Sequence, residues 1–492
     1  MRPMHPLDLI IFVAYMAGML AFGFYFLQRN KDADDYYVGG RKMGSWHVGF
    51  SVVATDVGGG FSIGLGGLGF GMGLSGSWML FTGLLGAWLA AVLLIPRVKR
   101  NPAFDRALTF PEIFRVFYDR RVALAAGIIS AVGYLGFTSS QILAGAKLAN
   151  GTFADLSQDQ ALWIMGIIAV AYTVMGGLKA VIYTDTVQWM ILMFGLLFVG
   201  IPVCYEAVGG WEAIRATVRP ELLSLSNLSW QKAVYWAVTI IPIWFVGMTL
   251  YQRIYACRDE RTARRAWYLA GLLEWPVMAF LGVALGLMAR VAADQGMFDY
   301  LGAENVTATD PETGLPMLLR TVLPVGLMGI MMSAYFSAIL STADSCLMAS
   351  SGNLVSDVVG HFRKRQLVGR AFLRSSQVTT LGLGVLALLL ASAMTSVLGL
   401  MLYSYAFMVS GLLVPVLGAL FWKRRSPPAA LAAMVVGGTT TVALEVGVKL
   451  EAWTLPLGLD SNVFGLSASA LVFVGLTLLL TEGPSPWRSD TD

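Results

Sequence analysis

Runs of about 20 mostly apolar residues recur from one end of this chain to the other, separated by short polar or Gly/Pro-rich breaks. That is the length a helix needs to cross roughly 30 Å of hydrocarbon, where a helix satisfies its backbone N–H and C=O groups internally. On that scale the sequence predicts about thirteen crossings. They lie near 7–28, 47–70, 75–96, 122–145, 160–178, 184–206, 231–251, 266–290, 321–357, 376–393, 396–421, 429–447 and 462–481. The run at 321–357 exceeds one bilayer thickness and is expected to continue as helix beyond it. Acidic residues follow the first run and no small-residue cleavage site does, so a retained helix is expected rather than a removed signal peptide.

Composition agrees with a membrane solvent. Of 492 residues, 57% are hydrophobic and 13% charged, about half the charged share of soluble domains. No soluble catalytic domain is expected in any loop, so the chain reads as one membrane domain. Cys204, Cys257 and Cys346 are too few and too scattered for a disulfide framework or a thiolate metal site. The net charge of +4 sits in short blocks between apolar runs, a topology signal and not a nucleic-acid footprint. Lysines and arginines divide 26 to 8 between alternate segments. Because positive loops stay cytoplasmic, the amino terminus is expected outside and the carboxyl terminus in the cytoplasm of a multi-pass plasma-membrane protein. Outside loops then carry Asn-x-Ser/Thr triplets at Asn150, Asn227 and Asn305.

Two stretches break the rules for a buried helix. Three consecutive glycines, Gly58 to Gly60, follow Asp56 in the middle of the second run. Glycine is about 1 kcal/mol poorer than alanine in a helix, and a carboxylate is costly in lipid, so Ala54 to Gly60 is expected to unwind around a cavity. The seventh run contains Thr239-Ile240-Ile241-Pro242-Ile243-Trp244, where proline removes a helical hydrogen bond. Each break opens a group of five crossings, 47–206 and 231–421, and an odd number per group makes the two run in opposite directions. Inverted repeats with a binding site at broken helices near the midplane are the pattern of a secondary transporter. Residues 1–46 would add an outside terminus, a first helix and a cytoplasmic loop; residues 422–492 would add two further helices and a short tail.

A polar face appears on the ninth run. Ser341 lies one turn from Ala338, Asp344 and Ser345, with Thr342 adjoining. Hard cations such as sodium take oxygen ligands without strict geometry. The Ser341 and Thr342 hydroxyls with the carbonyls of Ala54, Val57 and Ala338 would supply five. Asp185, in Tyr183-Thr184-Asp185-Thr186, is either the cap of the sixth span or an ion ligand. Glu274, beside Trp275-Pro276 inside the eighth span, is either protonated, paired or part of a proton route. Thr109-Phe110-Pro111-Glu112 reads as a capping box.

In order along the chain, Ala54-Thr55-Asp56 with its glycines, Gly176-Gly177-Leu178-Lys179-Ala180-Val181, Tyr183-Thr184-Asp185-Thr186, Gln252-Arg253 and Ser341-Thr342-Ala343-Asp344-Ser345 resemble the sodium/solute symporter family. Nearly the whole chain is covered. The resemblance implies an all-α, leucine-transporter-like fold of ten core helices in two inverted repeats, with one helix before the core and two after. It implies a main sodium site at Ala54, Val57, Ala338, Ser341 and Thr342. A second, deeper sodium in some members would correspond to Asp185, Asp344 and Ser345 with Ser341. The motifs at Ala144-Gly145-Ala146-Lys147-Leu148 and around Asp185 look most like the proline branch, whereas Gly58 and Gly60 depart from several others.

Candidate substrate residues come from the broken helices and their neighbours: Asp56, Gly59, Phe61, Trp78, Gln141, Trp244, Phe245, Tyr403 and Tyr405. No lysine or arginine is expected deep in a span, so a substrate carboxylate would meet helix amino ends and sodium. A zwitterion such as proline, a monocarboxylate or a neutral solute fits, and a polyanion does not. The expected activity is sodium-coupled import by alternating access, in a monomer or weak oligomer with no nucleic-acid partner. The alternatives are a proton-coupled carrier using Asp56 or Glu274, and a transporter-like sensor or channel. An enzyme is not expected, because the spans contain no buried histidine, thiol pair or nucleophile with a base.

Overall fold

The computed structural model describes residues 5–27, 37–153, 156–176, 178–301, 307, 309–363 and 369–480. The side chain of Phe61, and Gly177, Asn305 and the tail after residue 480, lie outside these described parts. Among the described residues the chain is helical and forms no strand. Among the described residues nine helices are long and apolar enough to cross a bilayer, ten if the bent pair at 230–256 is one span, and Pro6–Ala21 is a shorter apolar helix.

In chain order the elements are α1 (Pro6–Leu27), α2 (Ser45–Met72), α3 (78–99), α4 (Arg120–Thr152), α5 (Gln158–Gly176) and α6 (178–207). They continue with α7 (Trp230–Val246), α8 (Met248–Ala256), α9 (Glu260–Asp294), α10 (Pro311–Val322) and α11 (Leu327–Phe362). The last are α12 (Gly369–Ser392), α13 (Val397–Phe421), α14 (Pro427–Lys449) and α15 (Ser461–Leu479). Helices α2 and α11 hold the centre. α2 packs against α6, α9, α10 and α11, and α4 packs across α11 and α13. The lipid-facing residues are large and apolar, as on Ile164, Ile167, Phe198 and Val378, which is stable in hydrocarbon and would not be in water.

The first break is narrower than expected. Only Gly58 leaves helical geometry in α2, at φ 32° and ψ −159°, instead of the whole of Ala54 to Gly60. Helix resumes at once because Gly59 can lie directly on Ile339 of α11. The second break is displaced. Pro242 is accommodated inside α7, and the chain turns at Gly247 (φ −70°, ψ 111°), where α7 and α8 meet at 42°. The reason is local satisfaction of the backbone: Gly247 N donates to Ile243 O at 2.7 Å, ending α7, and Thr249 N donates to the Tyr134 hydroxyl at 3.2 Å, starting α8.

Three further expectations are corrected. The ninth span begins at Leu327, not 321, because α10 is a separate helix and Pro324 and Gly326 (φ 89°) interrupt the run. Asp185 caps nothing, since it lies inside α6 and is fully buried. Thr109 does not cap the short helix Glu112–Phe117; its hydroxyl donates to Asp357 Oδ1 at 3.1 Å, and Pro111 holds the cap position.

Candidate functional site

The break at Gly58 sets α2 against α11 closely enough that a Cβ there would lie 2.2 Å from Thr342 Oγ1. Thr342 Oγ1 lies 3.0 Å from Ala54 O and 3.2 Å from Ala338 O, and its single proton is shared between them. Three of the five expected sodium ligands therefore meet at one point, in a buried setting that also contains Val57. The fourth, Ser341, turns its hydroxyl to Asp185 Oδ1. Among the described residues no group of three His, Cys, Asp or Glu side chains gathers. The donors at the break are carbonyls and a hydroxyl, which suit a hard monovalent ion.

Below this point lies a feature the sequence reading excluded: a fully buried arginine. Arg253 lies on α8, which the turn at Gly247 aims back into the bundle. Its Nη2 donates to Asp185 Oδ2 at 3.3 Å and to Ser345 Oγ at 3.0 Å, and its Nε donates to Ser51 Oγ at 3.0 Å. Thr55 Oγ1 accepts from the same Nη2. Asp344 faces the other way, accepting from Thr173 Oγ1 of α5, and its Oδ2 has no partner. The residues expected for a second ion are thus divided: Asp185 and Ser345 share Arg253, while Asp344 takes Thr173. Lys147 is a second buried cation inside a span, paired with Asp310 at 2.7 Å and Glu312 at 2.6 Å.

Of the substrate candidates, the structure brings Asp56 and Tyr405 near one another, both buried. It adds one residue left out of that set, Glu274, fully buried on α9 near Asp56, with neither carboxyl oxygen hydrogen-bonded. Glu274 begins a π-helical turn, Glu274–Ala279, an irregularity frequent at functional sites. Trp244 is fully buried, edge-on to Trp267, with its ring against Gly86 of α3. Phe245 and Gln141 are buried as well. Gly59 is spent on packing against Ile339. Trp78 and Tyr403 lie elsewhere, toward the amino ends of their helices. The Trp78 indole donates to Leu225 O at 2.8 Å, and Tyr403 is half-exposed beneath Lys449, whose Nζ is 4.1 Å from the ring centre.

Tyr403 borders a cavity of about 620 Å³ with Lys147, Lys232, Trp236, Glu312 and Asp460. Burial holds the Asp460 carboxyl above the ordinary carboxylate range, with repulsion from Glu445 adding and Lys232 opposing. This vestibule ends on the same side of the bundle as α10.

An all-helical bundle with an oxygen cluster at an interrupted helix and a buried polar site beside it is the architecture of an ion-coupled membrane carrier. The model of the sodium:solute symporter family matches residues 36–437, and the chain belongs to that family. It is 27% identical to the high-affinity proline transporter PutP of Bacillus subtilis, over 96% of this chain and 98% of that one. It is 28% identical to the sodium/proline symporter of Escherichia coli, over 96% and 93%. Its fold matches that of a Na+-coupled sialic acid symporter in a substrate-bound outward-open state, with TM-score 0.79 and 20% identity, covering 97% of this chain and 98% of that one. The leucine-transporter-like fold expected from the motifs is the one observed. The protein is a multi-pass membrane transporter that couples sodium to the symport of a small organic solute.

Proposed function

We propose that this chain imports a small zwitterionic solute such as proline together with sodium bound at Ala54, Val57, Ala338, Ser341 and Thr342. The observation that carries the site is Thr342 Oγ1 bridging Ala54 O and Ala338 O across the break at Gly58. A sodium ion entering from outside takes the place of that hydrogen bond: the Thr342 hydroxyl keeps its proton and turns it away, its oxygen and the two carbonyls face the ion, and the Ser341 hydroxyl and the Val57 carbonyl are drawn toward it. Helices α2 and α11 are then joined, which orders the neighbouring substrate site around Asp56 and Tyr405. In the low-sodium cytoplasm the ion leaves, the two helices separate, and the solute follows. Proline is favoured because both relatives named above carry that substrate in their names.

The groups 47–206 and 231–421 act as inverted repeats in this reading, with the amino terminus outside, the carboxyl terminus in the cytoplasm, and the protein working as a monomer or weak oligomer. At about 100 mV and a tenfold sodium gradient, each ion contributes roughly 2.3 + 1.4 kcal/mol, enough for roughly 500-fold accumulation of a solute without net charge. Uptake into proteoliposomes under an imposed sodium gradient tests the site. Replacing Ser341→Ala and Thr342→Ala together is expected to abolish the sodium dependence, and an unchanged dependence in the double variant rejects it.

A further inference from the structure

We infer that a second site, at the cytoplasmic end of the bundle in the orientation proposed above, binds a phosphate group between Arg41, Lys99 and Arg258. The three residues come from separate parts of the chain, and none belongs to the sodium or substrate machinery. A cavity of about 180 Å³ lies among them, with Asp105, Tyr255 and Cys257 also on its wall. That volume is several times the roughly 30 Å³ that a water molecule occupies in the liquid, so a phosphoryl group has room there.

Local structure brings the cations together. Gly39, Gly40 and Arg41 have φ of 61°, 78° and 58° in succession, which folds the chain back on itself just before α2. The conformation is unfavourable for Arg41, the residue of the three with a Cβ, and its neighbours hold it. Arg41 Nη2 donates to Ala107 O at 2.9 Å, and Met43 N donates to Ala256 O at 3.0 Å at the end of α8. Arg258 N donates back to Met43 O at 3.4 Å, and Lys99, the last residue of α3, donates from Nζ to Cys257 O at 2.8 Å. The lead-in to α2, the end of α3 and the end of α8 therefore meet around one space.

Three cations and one acid, Asp105, face that space. Arg258 also meets Asp259 at 3.4 Å, but on the rim, where both side chains are more than half exposed and such a pair is weak. Lys99 has two ammonium protons beyond the one given to Cys257 O. Among the described residues it has no acid within ion-pair distance. Asp105 lowers the attraction for an anion without cancelling it. A carboxylate presents its two oxygens in one plane, whereas a phosphate group presents several in different directions and can meet cations arriving from three sides. Two sources of phosphate reach this face: an anionic lipid headgroup, for which basic pockets between membrane helices are suited, and a free phosphate. Either one ties the inner ends of α2 and α8 together, one from each of the two interrupted regions.

Thermal unfolding of the purified full-length protein tests the site in two arms. One compares potassium phosphate with potassium chloride of equal ionic strength in detergent. The other compares nanodiscs of phosphatidylcholine with nanodiscs of equal parts phosphatidylcholine and phosphatidic acid. Stabilisation in the first arm identifies free phosphate as a ligand, and stabilisation in the second arm alone identifies the headgroup. Phosphate also stabilises proteins generally, by exclusion from their surfaces, so the variants decide. Lys99→Gln and Arg258→Gln are each expected to raise the phosphate concentration or lipid fraction needed at least about 10-fold, the effect of losing one charged hydrogen bond. Lys99→Arg, which keeps the charge, is expected to retain most of the response, and Arg258→Gln, at an exposed position, serves if Lys99→Gln does not fold. Stabilisation in neither arm overturns the inference, and so does a response that is unchanged in both glutamine variants. No step needs sodium or solute, so the result is independent of the symport reading.

Discussion

Gly58 is constrained both by its neighbour Thr342 and by its own backbone. A side chain at position 58 would meet Thr342 and would also sit at φ 32°, outside the regions L-residues favour. Gly58→Ala is therefore expected to cost about 2 kcal/mol or more. It should also remove stabilisation by sodium, because the clash pushes the threonine hydroxyl off Ala54 and Ala338. Thermal unfolding with and without sodium measures both effects. The importance of Gly58 was legible from three glycines beside a carboxylate. Arg253 was not. Two residues past the end of its run it looks like an ordinary positive loop, and only the turn at Gly247 brings it inside. Glu274 was legible as an acid in a span, but its neighbour Asp56 is far away in sequence and no local pattern links them.

Among the elements, α10 does what no apolar run announced. Its Glu312 carboxylate accepts from Val397 N and Leu398 N, both at 3.0 Å, and from Ser396 Oγ at 3.2 Å. A carboxylate at the amino end of α13 is favourable there, and Lys147 from α4 closes the contact at 2.6 Å. Three elements are thus clasped at the mouth of the vestibule. Lys147→Met is expected to cost about 2 kcal/mol, below the roughly 3–5 of an orphaned buried charge, because Glu312 keeps its helix-end donors. Melting temperature reads that loss, and faster exchange of amide hydrogens in α10 would accompany it. Asp8 makes a similar joint at the other end of the chain, accepting from Gly326 N at 2.7 Å and Gly329 N at 2.8 Å at the start of α11. Caps on a helix from within its own sequence can be read from spacing. These caps come from other helices and cannot.

For the whole molecule, the proposed orientation follows from charge and can be tested by labelling. All three native cysteines are buried, so background labelling is low. Lys232→Cys is expected to react with a membrane-impermeant thiol reagent applied to intact cells, and Lys423→Cys only after permeabilisation; the reverse pattern would invert the topology. Membrane residence, the apolar runs, the family and the break within the glycine triplet were determined by the sequence alone, because hydropathy and glycine act locally and hydrocarbon punishes any exception. Tertiary structure alone decided that the second break is at Gly247, that an arginine lies in the core, and that Asp56 lies near Glu274. Those outcomes depend on which distant groups can satisfy one another once water is excluded, and that balance is struck only when the helices pack.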